Sequence, residues 1–329
     1  MQLTLIPCVT SSRCLSIFFS SALLALSANA HADGWDSGSS ASTIGSIANT
    51  RHNLTVSFNA SGQIMDIARN NYGAICVYCH TPHGANKQIA APLWNRTVNP
   101  GNYTIYDKPT TLMRPISLPG PNSLTCLSCH DGTIAIDSIL NMPGSGGYGN
   151  NEVGTANDTF LDSWSAAGNP GPSGVHFVLG PSTTGGNCTF CHQQPGGITA
   201  NTPDYRVFAL GTDLRDDHPI GVLFPTSFTP GVVDFNEPSV IIPGKWAFFD
   251  GNGNGIAEKD EVRLYDSGDG PEVECASCHD PHGVPSNGPG TRFNPSFLRV
   301  NNGISGSSAG ETGILSAGGS ALCLTCHAK

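Results

Sequence analysis

The chain carries Cys-x-x-Cys-His five times, at Cys76/Cys79/His80, Cys126/Cys129/His130, Cys188/Cys191/His192, Cys275/Cys278/His279 and Cys323/Cys326/His327. Two thiols three residues apart, with an imidazole next to the second, form a c-type haem attachment site. The sulfurs bond to two vinyl groups of one porphyrin, and the histidine is held beneath the iron as its proximal ligand. A zinc knuckle or a redox dithiol competes for a lone Cys-x-x-Cys. Five copies that all end in His argue against both, so five covalently bound haem c groups are expected, and with them a protein that handles electrons.

Residues 1–30 read as an export signal. Arg13 is the only charge, Cys14 to Leu26 is an apolar run, and Ala28-Asn29-Ala30 is a small-x-small cleavage site, with cleavage after Ala32 as the alternative. The apolar run is about half of the roughly 20 residues that span a bilayer. Cys8 and Cys14 fall in the part removed, and the ten cysteines left are all used by the haem motifs. A secreted protein is expected, extracellular or at the outer-membrane surface, with the periplasm as the alternative.

No later stretch is long and unbroken enough to cross a membrane, so the mature chain is expected not to be membrane-spanning. With 15 Lys+Arg against 25 Asp+Glu, a net charge of −10 excludes a basic nucleic-acid surface and favours cationic or metal-bearing partners. The 40 glycines and 24 prolines leave little room for helical periodicity. Such a composition without cofactors would suggest disorder, but porphyrins supply the apolar core that the side chains lack. The fold class expected is a multihaem cytochrome c, mostly irregular, with short helices and a few short strands organised around stacked haems.

The outer haem pairs look duplicated. Cys76-x-x-Cys-His-Thr-Pro-His83-Gly, Pro92-Leu-Trp-Asn-Arg96 and Leu124-Thr-Cys126 align with Cys275-x-x-Cys-His-Asp-Pro-His282-Gly, Pro295-Ser-Phe-Leu-Arg299 and Ala321-Leu-Cys323. This predicts a two-haem module over 31–140, a one-haem segment with loop insertions over 141–272, and a second two-haem module over 273–329. Residues 141–187, with Trp164 and the Pro170-Gly-Pro172 turn, read as surface loop. Gly221-Val-Leu-Phe224 and Lys245-Trp-Ala-Phe-Phe249 read as strands packed on a haem edge.

Five histidines remain once the proximal set and His31 are set aside: His52, His83, His176, His218 and His282. They are the expected second axial ligands, making every haem bis-His, low-spin and closed to substrate. Met65, Met113 and Met142 are weaker substitutes, better suited to packing. His83 cannot cap the haem that His80 holds, because three residues reach only about 10 Å and would have to round the porphyrin edge. The same holds for His282 and His279. The pairing expected is His83 with the haem of His130, and His282 with the haem of His327.

Asp250-Gly-Asn252-Gly-Asn254-Gly255-x5-Glu261 fits a calcium-loop pattern. Its ligands to one structural Ca2+ would be Asp250, Asn252, Asn254, the Ile256 carbonyl, Glu258 through water and bidentate Glu261. Asn in place of Asp at two positions weakens the charge of the site, and a polar Gly/Asn turn is the competing reading.

On the two Cys-x-x-Cys-His-[Thr/Asp]-Pro-His-Gly segments, Thr291-Arg-Phe-Asn294 and the C-terminal Ala321-Leu-Cys-x-x-Cys-His-Ala-Lys329, the chain resembles the secreted multihaem c-type cytochromes of metal-respiring bacteria. It is most similar to the group that forms extracellular cytochrome filaments. The resemblance implies bis-His haems in a continuous stack, little regular secondary structure, and one distal His supplied across a subunit boundary, a role that His52 could play. It also implies other cytochromes, metal-oxide acceptors or a homopolymer as partners. Electron transfer without catalysis is the leading expectation. The alternative is a multihaem reductase of nitrite, hydroxylamine or a similar small oxyanion, which needs one open haem. A structural matrix protein is a poor third, since five haems make a costly scaffold.

Overall fold

Proline and glycine interrupt helical runs throughout this chain, and the helices that form are correspondingly short. The computed structural model describes residues 43–55, 68–70, 72–108, 114–141, 176–183, 185–193, 204–225, 234–301 and 320–328. The export segment, His31, Met65, Met113, Met142, Trp164 and the Pro170–Pro172 turn lie outside those residues. Among the described residues there are four α-helices, each at a Cys-x-x-Cys-His motif: α1 Pro121–His130, α2 Cys188–Cys191, α3 Cys275–Cys278 and α4 Ala321–Cys326. The first motif is wound as a 3-10 turn, Ile75–Tyr78.

Helix α1 starts at Pro121, whose fixed φ and missing N–H suit a first helical position. It buries Ser123, Leu124, Leu127 and Ser128 along one stripe. It stops at Gly132, where φ is +72° and any Cβ would lie 2.4 Å from the Gly180 Cα. Two backbones touch there, so glycine is required for room as well as for conformation.

Five strands form one antiparallel sheet: β1 Val222–Leu223, β2 Val240–Ile242, β3 Trp246–Phe248, β4 Arg263–Asp266 and β5 Pro271–Val273, in the order β1-β5-β4-β3-β2. The β2–β3 turn has Pro243 followed by Gly244 at φ +71°, which suits a type II turn, closed by the Lys245 N–H on the Ile242 carbonyl. Strand β5 ends at Val273, and α3 begins at Cys275.

The side-chain core is small and divided. Phe224, Ala247 and Leu264 form the sheet cluster, with Cys326 against it. Trp94, Val98, Tyr103, Leu124, Leu127 and Leu214 form a second cluster, and Tyr72, Val77, Tyr78 and Ile139 a third. Cys79 packs on both of these. Among the described residues no helix is long and apolar enough to cross a membrane.

Candidate functional site

A single helical turn explains the motif. In four copies the His N–H donates to the carbonyl of the first Cys: His80 to Cys76 at 2.7 Å, His192 to Cys188 at 3.0 Å, His279 to Cys275 at 3.1 Å and His327 to Cys323 at 2.8 Å. That i to i+4 bond brings residues i, i+3 and i+4 to one side of the turn, so both thiols and the imidazole share a face.

The first four motifs face a common space. A cavity of about 1040 Å3 is lined by their cysteines and histidines, by His52, His218 and His282, and by apolar side chains such as Ile136, Leu179 and Phe293. It is larger than the roughly 300–1,000 Å3 typical of a small-molecule pocket. Burial raises the pKa of several of these thiols: Cys79 and Cys188 are pushed up to about 12, and Cys278 to about 11. Among the described residues no three His, Cys, Asp or Glu side chains converge on a metal position. This donor set fits thioether attachment, which leaves no charge on sulfur, better than a zinc–thiolate centre.

Five of the histidines share one orientation. His80 Nδ1 lies 3.1 Å from the Pro92 carbonyl, His130 Nδ1 2.7 Å from that of Phe208, and His279 Nδ1 2.7 Å from that of Ser296. His52 Nδ1 faces the Pro281 carbonyl at 3.3 Å, and His218 Nδ1 the Pro219 carbonyl at 3.0 Å. A carbonyl only accepts, so Nδ1 carries the proton and Nε2 keeps its lone pair for a metal. Burial lowers the pKa of His52 to about 4, helped by the neighbouring His130, and burial likewise lowers His80, His130 and His279. Neutral imidazole is the ligating form.

Two of the straps supplying these carbonyls use left-handed backbone at residues other than glycine, with φ +54° at Leu93 and +52° and +59° at Ser296 and Phe297. Such conformations cost energy and collect at functional sites. Here they turn the Pro92 and Ser296 carbonyls toward the proximal rings.

Two pairs of rings far apart in the sequence stand close in space. His80 and His282 have centroids 6.2 Å apart, and His52 and His130 have centroids 6.3 Å apart. A metal–nitrogen bond of about 2.0 Å plus about 1.2 Å from nitrogen to ring centre, doubled, puts two trans imidazoles about 6.4 Å apart. Both pairs therefore have the separation of axial ligands on one iron. These neighbours differ from the pairing expected above: within the chain His282 lies by His80, and His52, not His83, lies by His130. The difference comes from the fold. The segment after α3 lies against the first and second motifs, with Phe297 stacked on His52 at 4.5 Å.

The other spare histidines divide. His218 lines the cavity, while His83 and His176 do not. His83 is exposed, and its carbonyl accepts from Thr81 Oγ1 and Asn141 Nδ2. His176 is buried, with Nδ1 2.8 Å from Asp137 Oδ2. His192 stacks face to face on Tyr205, 3.8 Å between centroids.

The fifth motif is carried by the sheet. Cys326 packs on the Phe224 cluster, the Asn236 N–H donates to the Cys326 carbonyl at 2.8 Å, and the Phe235 ring lies 5.0 Å from that of His327. In the 250–261 loop Asp250 accepts the Gly253, Asn254 and Gly255 N–H groups. The Glu261 carboxylate, expected to be bidentate on the ion, accepts from the Gly251 and Glu258 N–H groups here.

Several supporting residues escaped the sequence reading. Asp280 orients His282 through Nδ1 at 3.2 Å. Buried Arg96 donates to the carbonyls of Ser128, Ala135, Ile136 and Ser138. Glu274 caps α3 and accepts the Gly120 N–H at 3.0 Å. The duplicated segments are also out of register by one. Asn95 Nδ2 bonds the Val77 carbonyl inside the first motif, and Arg299 Nε bonds the equivalent Ala276 carbonyl, so the counterpart of Arg299 is Asn95 and not Arg96. No protein-family model matches the chain, and no curated protein matches its sequence.

Proposed function

We propose that this protein is a secreted pentahaem c-type cytochrome that carries electrons along closely spaced haems to other cytochromes, metal oxides or further copies of itself. The observation that carries the reading is the pair of imidazole couples, His80 with His282 and His52 with His130, at the separation a six-coordinate iron requires. Bound haem c supplies a one-electron ferric/ferrous couple. The chain does the rest. Carbonyl acceptors on Nδ1 of His52, His80, His130, His218 and His279 fix their tautomers and would raise the basicity of Nε2 toward a bound iron, and a haem held by two of these imidazoles would have no position for substrate. The apolar lining keeps water away from the rings. The calcium loop is part of the proposal as a rigidifying element beside β3, with Asp250, Asn252, Asn254, the Ile256 carbonyl, Glu258 and Glu261 as ligands.

One observation favours the reductase alternative: His83 and His176 are not among the residues lining the cavity, so an iron could be left open. A haem count and low-temperature EPR of the oxidised holoprotein decide between the two. Five haems, all low-spin, support the carrier. A high-spin centre that takes up nitrite or carbon monoxide without displacing a protein ligand overturns it in favour of catalysis, and a protein that carries no haem overturns both readings.

A further inference from the structure

The motifs are not linked in the order in which they occur along the chain. The second motif, on α1, touches three others. Cys79 of the first packs on the cluster that contains Leu124 and Leu127 of α1. The third is tied to α1 twice: through the Gly132–Gly180 backbone contact, and through the short segment 205–210. In that segment Tyr205 stacks on His192, the Phe208 carbonyl faces His130 Nδ1 at 2.7 Å, and the Leu210 N–H donates to the His130 carbonyl at 2.9 Å.

The fourth motif meets α1 directly. Helix α3 packs on α1, the Cys275 N–H donates to Ser123 Oγ at 2.8 Å, and Glu274 Oε1 accepts the Gly120 N–H at 3.0 Å. The backbone at Cys275 is thus held against the turn of α1 that leads to Cys126. The fifth motif in turn adjoins the strand that leads to the fourth, with Cys326 packed on the sheet cluster that Val273 also joins.

Each of these sulfurs marks where a porphyrin edge is fixed. Two attachment turns packed on each other would bring the second and fourth haems close together, and electron hopping falls steeply with separation. We propose that the electron route is branched at the second haem, which exchanges electrons directly with the first, third and fourth, so that the third haem is a side arm and not a step between the second and the fourth. This rests on the pentahaem reading and adds the route within it.

The test counts neighbours. In redox titrations of the holoprotein followed by EPR, removing a haem shifts the potentials and signals of the haems adjacent to it. The branched route predicts that the Cys188→Ala/Cys191→Ala variant perturbs one remaining haem, and that Cys126→Ala/Cys129→Ala perturbs three. A route in sequence order predicts two in each case, and that result overturns the proposal. Where a variant fails to retain four haems, the iron–iron distances in an experimental structure of the wild-type holoprotein decide. A second-to-fourth distance shorter than the third-to-fourth supports the branch, and a third haem lying between the second and the fourth sinks it. Absence of haem from the wild type would instead remove the underlying reading.

Discussion

The segments His80-Thr81-Pro82-His83-Gly84 and His279-Asp280-Pro281-His282-Gly283 differ in one residue, and their second histidines have different fates. In the first, the Thr81 hydroxyl donates to the His83 carbonyl, nothing shown here orients the His83 ring, and the residue is exposed. In the second, Asp280 Oδ1 accepts both the His282 N–H and its Nδ1–H, and the ring stands parallel to His80, 9° off. The Asp280 hydrogen bond also raises the pKa of His282. A carboxylate can orient an imidazole, whereas a hydroxyl already engaged with a carbonyl does not. The motif supplies a histidine, and its neighbour decides where the ring goes.

This contrast is open to direct attack. The largest effect is expected from His282→Ala, which should convert the haem of His80 from low-spin to high-spin in EPR of the oxidised holoprotein, while His83→Ala leaves the low-spin count unchanged. The opposite pattern would show the two segments to be reversed in role.

Arg96 and Arg299 provide the next test. Fully buried Arg96 holds four carbonyls, and its replacement by Met strands them, at a cost of about 3–5 kcal/mol in chemical denaturation. Arg299→Met, which loses bonds to Ala276 and Lys259, should cost about half as much. Equal losses would mean that the two modules are supported alike.

The residue before the first thiol also differs, Ile75 in one copy and Glu274 in the other. Burial raises the pKa of Glu274 from the usual 4.5 to about 7. The folded state therefore holds this proton more tightly than the unfolded state. Its contribution is complete below pH 4.5 and is lost as pH rises through about 7, amounting to about 3 kcal/mol. Glu274→Gln should flatten that slope in denaturation measured between pH 5 and pH 8, and an unchanged slope would place the pH dependence elsewhere.

The smallest effect is expected from Asp280→Thr, which copies the first segment into the second. Loss of an orienting partner typically weakens a metal ligand by about 10–100-fold. A minor high-spin fraction at the haem of His80 should appear, and a spectrum identical to wild type would remove Asp280 from the account.

Much of the site was legible in the chain because its chemistry is local. Cys, Cys and His at i, i+3 and i+4 share a face in any helical turn, whatever surrounds it. The strands around Val222 and Trp246 fall within short apolar runs that announce them. The partner of His52, by contrast, lies 78 residues away at His130, and that of His80 lies 202 residues away at His282. The one-residue offset that makes Asn95 the counterpart of Arg299 was hidden as well. It is absorbed by left-handed backbone at both Ser296 and Phe297 against Leu93 alone, and nothing in the alignment of two Pro-x-x-x-Arg runs signals it.

The position and number of the Cys-x-x-Cys-His turns belong to five-residue words, because hydrogen-bond geometry within one turn is the same wherever it occurs. Which imidazole faces which, and which motif stands beside which, depends on how α3 packs on α1 and where the segment from Pro281 to Phe297 comes to rest. Those contacts join residues far apart in the chain. Only when the loops close are the rings held at a ligand's distance.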